Sequence, residues 1–194
     1  AQRTYEIMAP AGSWECLRAA VAAGADAVYF GIGQLNMRSH STANFSTGDL
    51  PEVTAFCNGK GVRTYLTVNT VLYDGDLDAM RHIIDSAKAA GVSAVIASDV
   101  AAMQYANQVG IEVHLSTQLN ISNSEALEFY AQWADVAVLA RELSLDQVQS
   151  IHRAIEERNI CGPSGEKIRI GMFAHGALCM AVSGKCYLSL HETG

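Results

Sequence analysis

The 194-residue sequence has little charge and no long apolar run. Charged side chains make up 17% of it, against ~25% in an average soluble protein, so much of the chain is expected to be buried in a core or against a partner. No stretch approaches the ~20 consecutive apolar residues that span a bilayer. Residues 1–6 have neither the basic end nor the apolar middle of a secretory signal. These absences predict a cytoplasmic protein without a membrane segment.

Basic side chains are also scarce. Thirteen Lys and Arg stand against 20 Asp and Glu, which gives a formal net charge of −7, and no basic run occurs. Proteins that bind nucleic acid through its phosphates usually carry a basic face. The acidic balance therefore counts against this chain as the main surface that grips RNA, and it leaves room for a small-molecule substrate.

The five cysteines are an odd number in a chain interpreted as intracellular, so no disulfide framework is expected. Cys16 and Cys57 lie in apolar helical contexts and are predicted to be buried thiols. Cys161 lies in a polar loop and is predicted to be incidental. Only Cys179 and Cys186 receive a functional interpretation.

Common hydrolase motifs are absent: the sequence has no His-Glu-x-x-His, no Gly-x-Ser-x-Gly and no P-loop. A cysteine protease needs a thiolate beside a histidine, and Cys179 could pair with His175 if the two share a helical turn, although no third orienting residue is evident. Alternatively, Cys179 and Cys186 could ligate a soft metal or an iron–sulfur cluster. Two thiolates alone fall short of the four that a cubane cluster takes.

Short β-branched runs alternate with amphipathic stretches along the whole chain. The predicted strands are residues 5–8, 27–30, 63–68, 94–97, 112–115, 136–139 and 167–173. The predicted helices lie near residues 14–23, 50–59, 76–90, 99–109, 123–133 and 144–158. Ser144, followed three residues later by Gln147, is predicted to form a capping box. Strict βα alternation with near-continuous apolar strands predicts an α/β fold with a parallel sheet.

Polar residues follow the ends of several different strands, whereas an open doubly wound sheet should concentrate them at one switch point. This distribution favours a TIM-like (β/α) barrel, although an open sheet would also accommodate seven strands. A complete barrel has eight strands and about 250 residues. We therefore predict an incomplete barrel of about seven βα units, with the last strand and helix beyond the chain end. Residues 1–194 are expected to form a single barrel-like domain.

Several residues in these βα loops leave two interpretations open. Asp99 either caps its helix or acts in the site. Arg141 and Glu142 are either a surface ion pair or part of a site, since an arginine at a barrel mouth is a natural clamp for a carboxylate or phosphate. His114 lies in an apolar run and is either a hydrogen-bonded core histidine or a side chain that reaches into the barrel.

The segment of residues 175–189, HGALCMAVSGKCYLS, follows an apolar run and resembles the signature of the collagenase-like peptidases classed U, for unassigned mechanism. Residues 9–12, 24–29, 114–118 and 140–144 are similar to that family too, so the likeness covers the whole chain. Members of the family include iron–sulfur-dependent hydroxylases of RNA bases and of ubiquinone precursors.

The resemblance implies a barrel-like catalytic domain and a 4Fe–4S cluster held by four cysteines, two of which correspond to Cys179 and Cys186. The other two would lie beyond Gly194, so the chain is expected to be the N-terminal portion of a longer protein. The related hydroxylases act without molecular oxygen, take the oxygen from prephenate, and modify a tRNA uridine or an rRNA cytidine. The two carboxylates of prephenate give Arg141 and Arg38 a physical reason to lie at the barrel mouth.

The expected site follows from these interpretations. His175 and Glu142 are the predicted catalytic residues. The predicted substrate-binding residues are Asn69, His114, Gln118, Arg141 and Arg38. One departure stands out, because the family signature has a glutamate two residues before the phenylalanine and here that place is Gly171. Either the glutamate is dispensable or this member has altered chemistry.

Three functions follow from the sequence. The leading one is a prephenate-dependent hydroxylase of tRNA or rRNA bases. The second is a collagenase-like peptidase with Cys179 or His175 in catalysis. The third is a non-catalytic scaffold that pairs with a homologous partner subunit, which would suit the low charged fraction.

Overall fold

The computed structural model describes residues 5–33 and 45–176. The chain divides into two compact units, Ala1–Glu112 and Val113–Gly194, and each is described by itself. The predictions for Arg38, Cys179 and Cys186 lie outside the described residues. A single catalytic domain that begins a longer protein stays a prediction.

Within the described residues, seven strands alternate with six α-helices. The strands are β1 (Met8–Pro10), β2 (Ala27–Gly31), β3 (Arg63–Val68), β4 (Ala94–Ala97), β5 (Glu112–Leu115), β6 (Val136–Val138) and β7 (Arg169–Gly171). The helices are α1 (Trp14–Ala22), α2 (Leu50–Asn58), α3 (Leu77–Ala90), α4 (Val100–Val109), α5 (Ser124–Ala131) and α6 (Leu145–Arg158). None of these described helices combines the length and the apolar character that crossing a membrane requires.

In the first unit, β1 to β4 pair in parallel and in chain order. One face of this sheet carries a buried cluster of Ala27, Tyr65, Ala94 and Ile96, against which Tyr29 packs. The residues that alternate with these in β2, β3 and β4 are buried as well, namely Val28, Phe30, Leu66, Val68, Val95 and Ala97. Burial on both faces explains why these strands are apolar at almost every position.

In the second unit, β5, β6 and β7 also pair in parallel. His114 lies opposite Val136, and Val136 lies opposite Arg169. Further along the same two strands, Val138 lies opposite Gly171. Partners in a parallel ladder project to the same side of the sheet, so these five residues share one face.

Two junctions between helix and strand are formed by Gly91 and Gly110. Both glycines cap their helices in the left-handed region, with φ of 79° and 74°. Glycine adopts this conformation without a Cβ penalty and directs the chain into the next buried strand. The predicted capping box is confirmed too: Gln147 N donates to Ser144 Oγ at 3.3 Å, and Ser144 N donates to Gln147 Oε1 at 2.8 Å.

The first strand begins later than residues 5–8 predicted. The main-chain carbonyl of Ile7 accepts from Asp26 N at 2.8 Å and from Ala27 N at 3.1 Å, and the ladder starts only at Met8. Tyr5 and Ile7 are therefore 65% and 44% exposed although they are apolar. Strand pairing, which local sequence does not encode, sets this boundary.

Two cysteine predictions have different outcomes. Cys57 is buried as predicted. The prediction for Cys16 is wrong, because Cys16 is exposed. The adjacent Leu17, together with Ala20, takes the core-facing positions of α1, and a residue one position along a helix points about 100° away.

Candidate functional site

The predicted site residues follow the carboxyl ends of strands, as the sequence analysis expected. In the first unit, Asn69 comes directly after β3. In the second unit, Gln118 follows β5, Arg141 and Glu142 follow β6, and His175 follows β7. The loops after strand carboxyl ends are where enzymes of the (β/α) barrel type carry out their chemistry.

The three loops of the second unit are joined by hydrogen bonds. Ala140 N donates to the carbonyl of Ile121 at 2.9 Å, which joins the loop after β6 to the loop after β5. Thr117 Oγ1 donates to the carbonyl of Leu139 at 3.5 Å. Leu139 N donates to the carbonyl of Gly171 at 3.0 Å, at the end of β7. We call this connected set of loops, residues 116–121, 139–144 and 172–176, the loop surface.

Arg141 lies over the ring of Phe173 on the loop surface. Its guanidinium carbon is 6.0 Å from the ring centroid, within the range of a cation–π interaction. Both residues are exposed, Phe173 to 52%. Since a guanidinium can stack on an aromatic ring and bind a carboxylate through its N–H edge, this arrangement suits an anionic ligand. Glu142 is exposed beside it.

Gln118 lies half-buried in a 3₁₀ turn, Thr117–Leu119. The hydroxyl of Ser116 donates to Gln118 Oε1 and thereby orients the amide group. The turn ends at Asn120, whose φ of 51° lies in the left-handed region. Asparagine adopts that conformation more readily than most residues with a side chain, so local sequence permits this turn.

The two predicted histidines differ in their surroundings. His114 is a buried strand residue, 3% exposed, on the face that Val136 shares. His175 is exposed in the loop after β7, two residues beyond Phe173. The structure therefore places His175 at the solvent side of the loop surface and His114 within the sheet.

Of the two interpretations of Asp99, the structure supports the one in which it caps a helix. Its carboxylate accepts from Ala101 N at 2.8 Å and so caps α4.

In the loop after β3, Asn69 is half-buried. The next residue, Thr70, has a hydroxyl oxygen that is shielded from solvent and makes no hydrogen bond within the described part of the chain.

Sequence reasoning missed two features near the strand ends, the shielded hydroxyl of Thr70 and the ring of Phe173 beneath Arg141. Phe173 had been assigned to the last strand, which in fact ends at Gly171, so its ring belongs to a loop. Thr70 looks like any polar loop residue, and only the folded chain shows that its hydroxyl is shielded. The one available signal was their position, directly after a strand.

No metal centre is evident within residues 5–33 and 45–176, where no group of three or more His, Cys, Asp or Glu side chains could hold an ion.

Burial raises the pKa of the Cys57 thiol to about 11, so this thiol stays protonated near neutral pH. Cys161 precedes β7, at the opposite strand end from the loop surface, and its thiol donates to the carbonyl of Asn159 at 3.4 Å. The cluster at Cys179 and Cys186 stays a prediction.

A second polar cluster lies at the amino ends of the strands in the first unit. Arg63 contacts Glu112 at 2.7 Å and Glu6 at 3.6 Å, and lies over the ring of Tyr65 at 5.1 Å. The hydroxyl of Tyr65 is 2.8 Å from each carboxylate oxygen of Glu6. Burial, strengthened by this hydrogen bond, raises the pKa of Tyr65. This end of a (β/α) fold serves stability rather than catalysis.

Comparison with known proteins places these observations in a family. The sequence matches peptidase family U32 over residues 12–194. It is 66% identical over 188 residues to a protein named collagenase from Porphyromonas gingivalis. That match covers 97% of this chain and 45% of the relative. It is 36% identical to the 23S rRNA 5-hydroxycytidine synthase of Escherichia coli, over 97% of this chain and 27% of that one. It is 34% identical to tRNA hydroxylation protein P1 of Bacillus subtilis, over 97% of this chain and 42% of that one. The chain thus spans less than half the length of these relatives.

Solved structures support the same fold. A U32 peptidase superposes with a TM-score of 0.64 at 13% identity, over 89% of this chain and 70% of that one. A mutant tryptophan synthase α-subunit from Pyrococcus furiosus superposes with a TM-score of 0.56 at 16% identity, over 87% of this chain and 77% of that one. At such identities the likeness shows the fold alone. The predicted α/β fold, an incomplete TIM-like barrel of about seven βα units, is confirmed.

Proposed function

Because the chain belongs to peptidase family U32, we propose that the intact protein is a prephenate-dependent hydroxylase that inserts oxygen into a pyrimidine of tRNA or rRNA. Relatives named for hydroxylation of each RNA class match 97% of this chain. The matched part of the chain includes the strand-end loops, and in this fold such loops carry out the chemistry. We place the reaction in the cytoplasm, where both RNA classes are found.

The observation that carries the proposal is Arg141 over Phe173 on the loop surface. Prephenate is a dicarboxylate, and arginine binds carboxylates in a planar, bidentate way. Arg141 would hold one carboxylate, while the amide of Gln118, oriented by Ser116, would donate to the same ligand. His175 and Glu142, exposed in the neighbouring loops, would transfer protons at the reacting base.

The donor chemistry of Cys179 and Cys186 fits one half of a 4Fe–4S cluster, since thiolates are the usual ligands of such clusters. We propose that these two cysteines supply two of the four ligands and that the longer protein supplies the others. When bound, the cluster would supply one-electron transfer. Binding and orienting the carboxylate ligand would remain the task of Arg141 and Gln118.

The net charge of −7 bears on how RNA would bind. Phosphate contacts need basic side chains, and the chain has no basic run. We therefore propose that the remainder of the intact protein, or a homologous partner subunit, provides most of the RNA-binding surface. This chain would supply the pocket in which the base and the carboxylate ligand meet.

A peptidase is the second candidate, because the 66% identical relative is named a collagenase. A thiol nucleophile needs a lowered pKa and a neighbouring base. Cys57 does not suit that role, because it is buried and burial raises the pKa of its thiol to about 11. Cys161 precedes β7, at the strand end opposite the loop surface. The peptidase proposal follows the sequence analysis and assigns catalysis to Cys179 or His175, whereas a purely scaffolding role would need neither residue.

The deciding experiment uses the intact protein, expressed in a bacterium that lacks its own U32 hydroxylases, with nucleosides of tRNA and rRNA analysed by mass spectrometry. We expect a pyrimidine that has gained one oxygen atom, present with the wild type and absent with Arg141→Ala. The same protein, purified and freed of metal, is then incubated with gelatin. Unmodified RNA together with gelatin cleavage that His175→Ala abolishes would establish the peptidase instead.

A further inference from the structure

An aromatic side chain lies on the outward face of α5 in the second unit. Phe129 is 58% exposed, and among the described residues it is the one exposed large apolar side chain in the interior of an α-helix. The buried residues of the same helix are Leu127 and Ala131. Two positions along a helix turn a side chain by about 200°, so Phe129 points away from the core.

The neighbouring helix α6 shows the usual pattern. Its buried residues are Val148, Ile151 and Ile155, and the exposed residues between them are all polar, namely Gln149, Ser150, His152 and Arg153. A helix at the surface of a globular protein normally carries polar side chains on its solvent side. Within this unit, α5 therefore departs from the pattern at Phe129.

Phe129 is part of a cluster of three rings. Its ring centroid is 5.2 Å from that of Tyr130 and 5.5 Å from that of Trp133, with the planes at 81° and 74°. Gln132 Nε2 donates to the carbonyl of Phe129 at 2.7 Å and so fixes the end of the helix. We call Phe129, Tyr130 and Trp133 the aromatic patch. Clustered exposed rings, unlike scattered apolar residues, mark a contact surface.

Carboxylates border the aromatic patch. Glu125 lies one helical turn before Phe129 with its side chain 77% exposed, and Glu128 directly precedes Phe129. Both carboxylates pair with the single guanidinium of Arg158 on α6, so these three side chains keep a net charge of −1. The whole chain has a formal net charge of −7. An acidic border favours a partner whose facing surface is basic.

The aromatic patch lies at the strand end opposite the loop surface. After α5 ends at Ala131, Asp135 N donates to the carbonyl of Val113 at 3.1 Å, at the amino end of β5. A partner bound to the patch would leave the loop surface open to substrate. An intact protein as long as the 66% identical relative, of which this chain matches 45%, contains a further segment that could cover the patch.

We propose that the aromatic patch is the docking site for the remainder of the intact protein, which contacts it through a basic and partly apolar surface. The basic character of this occupant rests on the proposed function, which assigns most of the RNA-binding surface to the remainder. The docking itself requires no catalysis. Buried aromatic anchors dominate the binding energy of such interfaces, and charges at the rim add specificity. The three rings are the anchors here, and Glu125 pairs with a cation at the rim.

The test is hydroxyl-radical footprinting of the intact protein, with the oxidation rates of Phe129 and Trp133 measured by mass spectrometry. Glu125→Lys reverses a charge at the border and leaves all three rings in place. The matched control is Glu52→Lys on α2, because both glutamates are exposed and lie in the first turn of their helices. We expect both oxidation rates to rise about threefold in Glu125→Lys, since like charges across an interface repel. They should stay at the wild-type values in Glu52→Lys.

Equal oxidation rates in the wild type and Glu125→Lys would overturn the proposal. Protection of the rings that disappears on dilution, together with a dimer in sedimentation velocity, would overturn it too, because a second copy would then cover the patch. The oxidation rates do not depend on catalysis. A wild type that hydroxylates no RNA but shows the expected difference from Glu125→Lys would therefore refute the proposed function and leave the docking site in place.

Discussion

Gly171 and Val138 lie opposite each other in β7 and β6, so closely that a Cβ at position 171 would be 3.3 Å from Val138 Cγ2. Such a contact is tighter than side chains normally make, so Val138 would have to move. Position 171 is where the resembled family signature has a glutamate. In this chain Val138 takes up the space that the first atom of that side chain needs.

A double-mutant cycle tests this relationship. Glycine in a strand costs about 0.5–1 kcal/mol relative to alanine, but at position 171 the contact with Val138 opposes that gain. We expect Gly171→Ala to stabilise the protein by about 0.5–1 kcal/mol in a Val138→Ala background and by less in the wild type. Urea denaturation of the four proteins measures the difference. Equal effects in both backgrounds would show that the two positions do not compete for space.

Arg141 should act through its planar guanidinium as well as through its charge. Arg141→Lys keeps the charge but loses bidentate binding and stacking on Phe173. We expect the KM for prephenate to rise about tenfold, with Tm nearly unchanged because the residue is exposed. The matched control is Arg81→Lys, an exposed arginine paired with Asp78 on α3, which should leave KM unchanged. If Arg141→Lys has the same KM for prephenate as the wild type, Arg141 does not bind the carboxylate through its planar guanidinium.

Much of the fold was predictable because its signals are local. The helix that begins after Ser144 could be recognised because the capping box uses neighbouring residues only. Gly91 and Gly110 mark helix ends by the conformation that they adopt. Alternation of such helices with short apolar strands was then sufficient to predict a parallel sheet.

The parts that sequence reasoning missed depend on contacts between distant residues. Phe173 was assigned to a strand, because nothing local shows that β7 ends at Gly171. Cys16 was predicted to be buried, because its neighbours are apolar, yet Leu17 takes the core position. The unpaired hydroxyl of Thr70 cannot be deduced from sequence, since solvent shielding is a property of the folded chain.

The two C-terminal cysteines should determine cluster content. We expect Cys179→Ala and Cys186→Ala, each made in the intact protein and purified without oxygen, to lose iron and acid-labile sulfide together, because a cubane cluster needs its thiolate ligands. Cys161→Ala is the matched control. It should keep both, since Cys161 precedes β7 at the opposite strand end. A Cys179→Ala protein with full iron and sulfide content would remove that residue from the ligand set.

Tyr65 should make the stability of the protein sensitive to alkaline pH. Its hydroxyl is buried and bonded to Glu6, so Tyr65→Phe should lower the free energy of unfolding by about 1–3 kcal/mol at neutral pH. Burial raises the pKa of Tyr65 in the folded protein, whereas in the unfolded chain tyrosine ionises near ~10. Above that pH the unfolded wild type releases a proton that the folded state retains, so wild-type stability falls as pH rises. The phenylalanine variant has no such proton to lose. The stability difference between the two proteins should therefore be full below about pH 10 and shrink above it, as measured by urea denaturation from neutral to alkaline pH.

The control is Tyr73→Phe, at a ring that is 72% exposed, which should match the wild type throughout. A stability difference for Tyr65→Phe that stays constant with pH would refute the raised pKa of Tyr65.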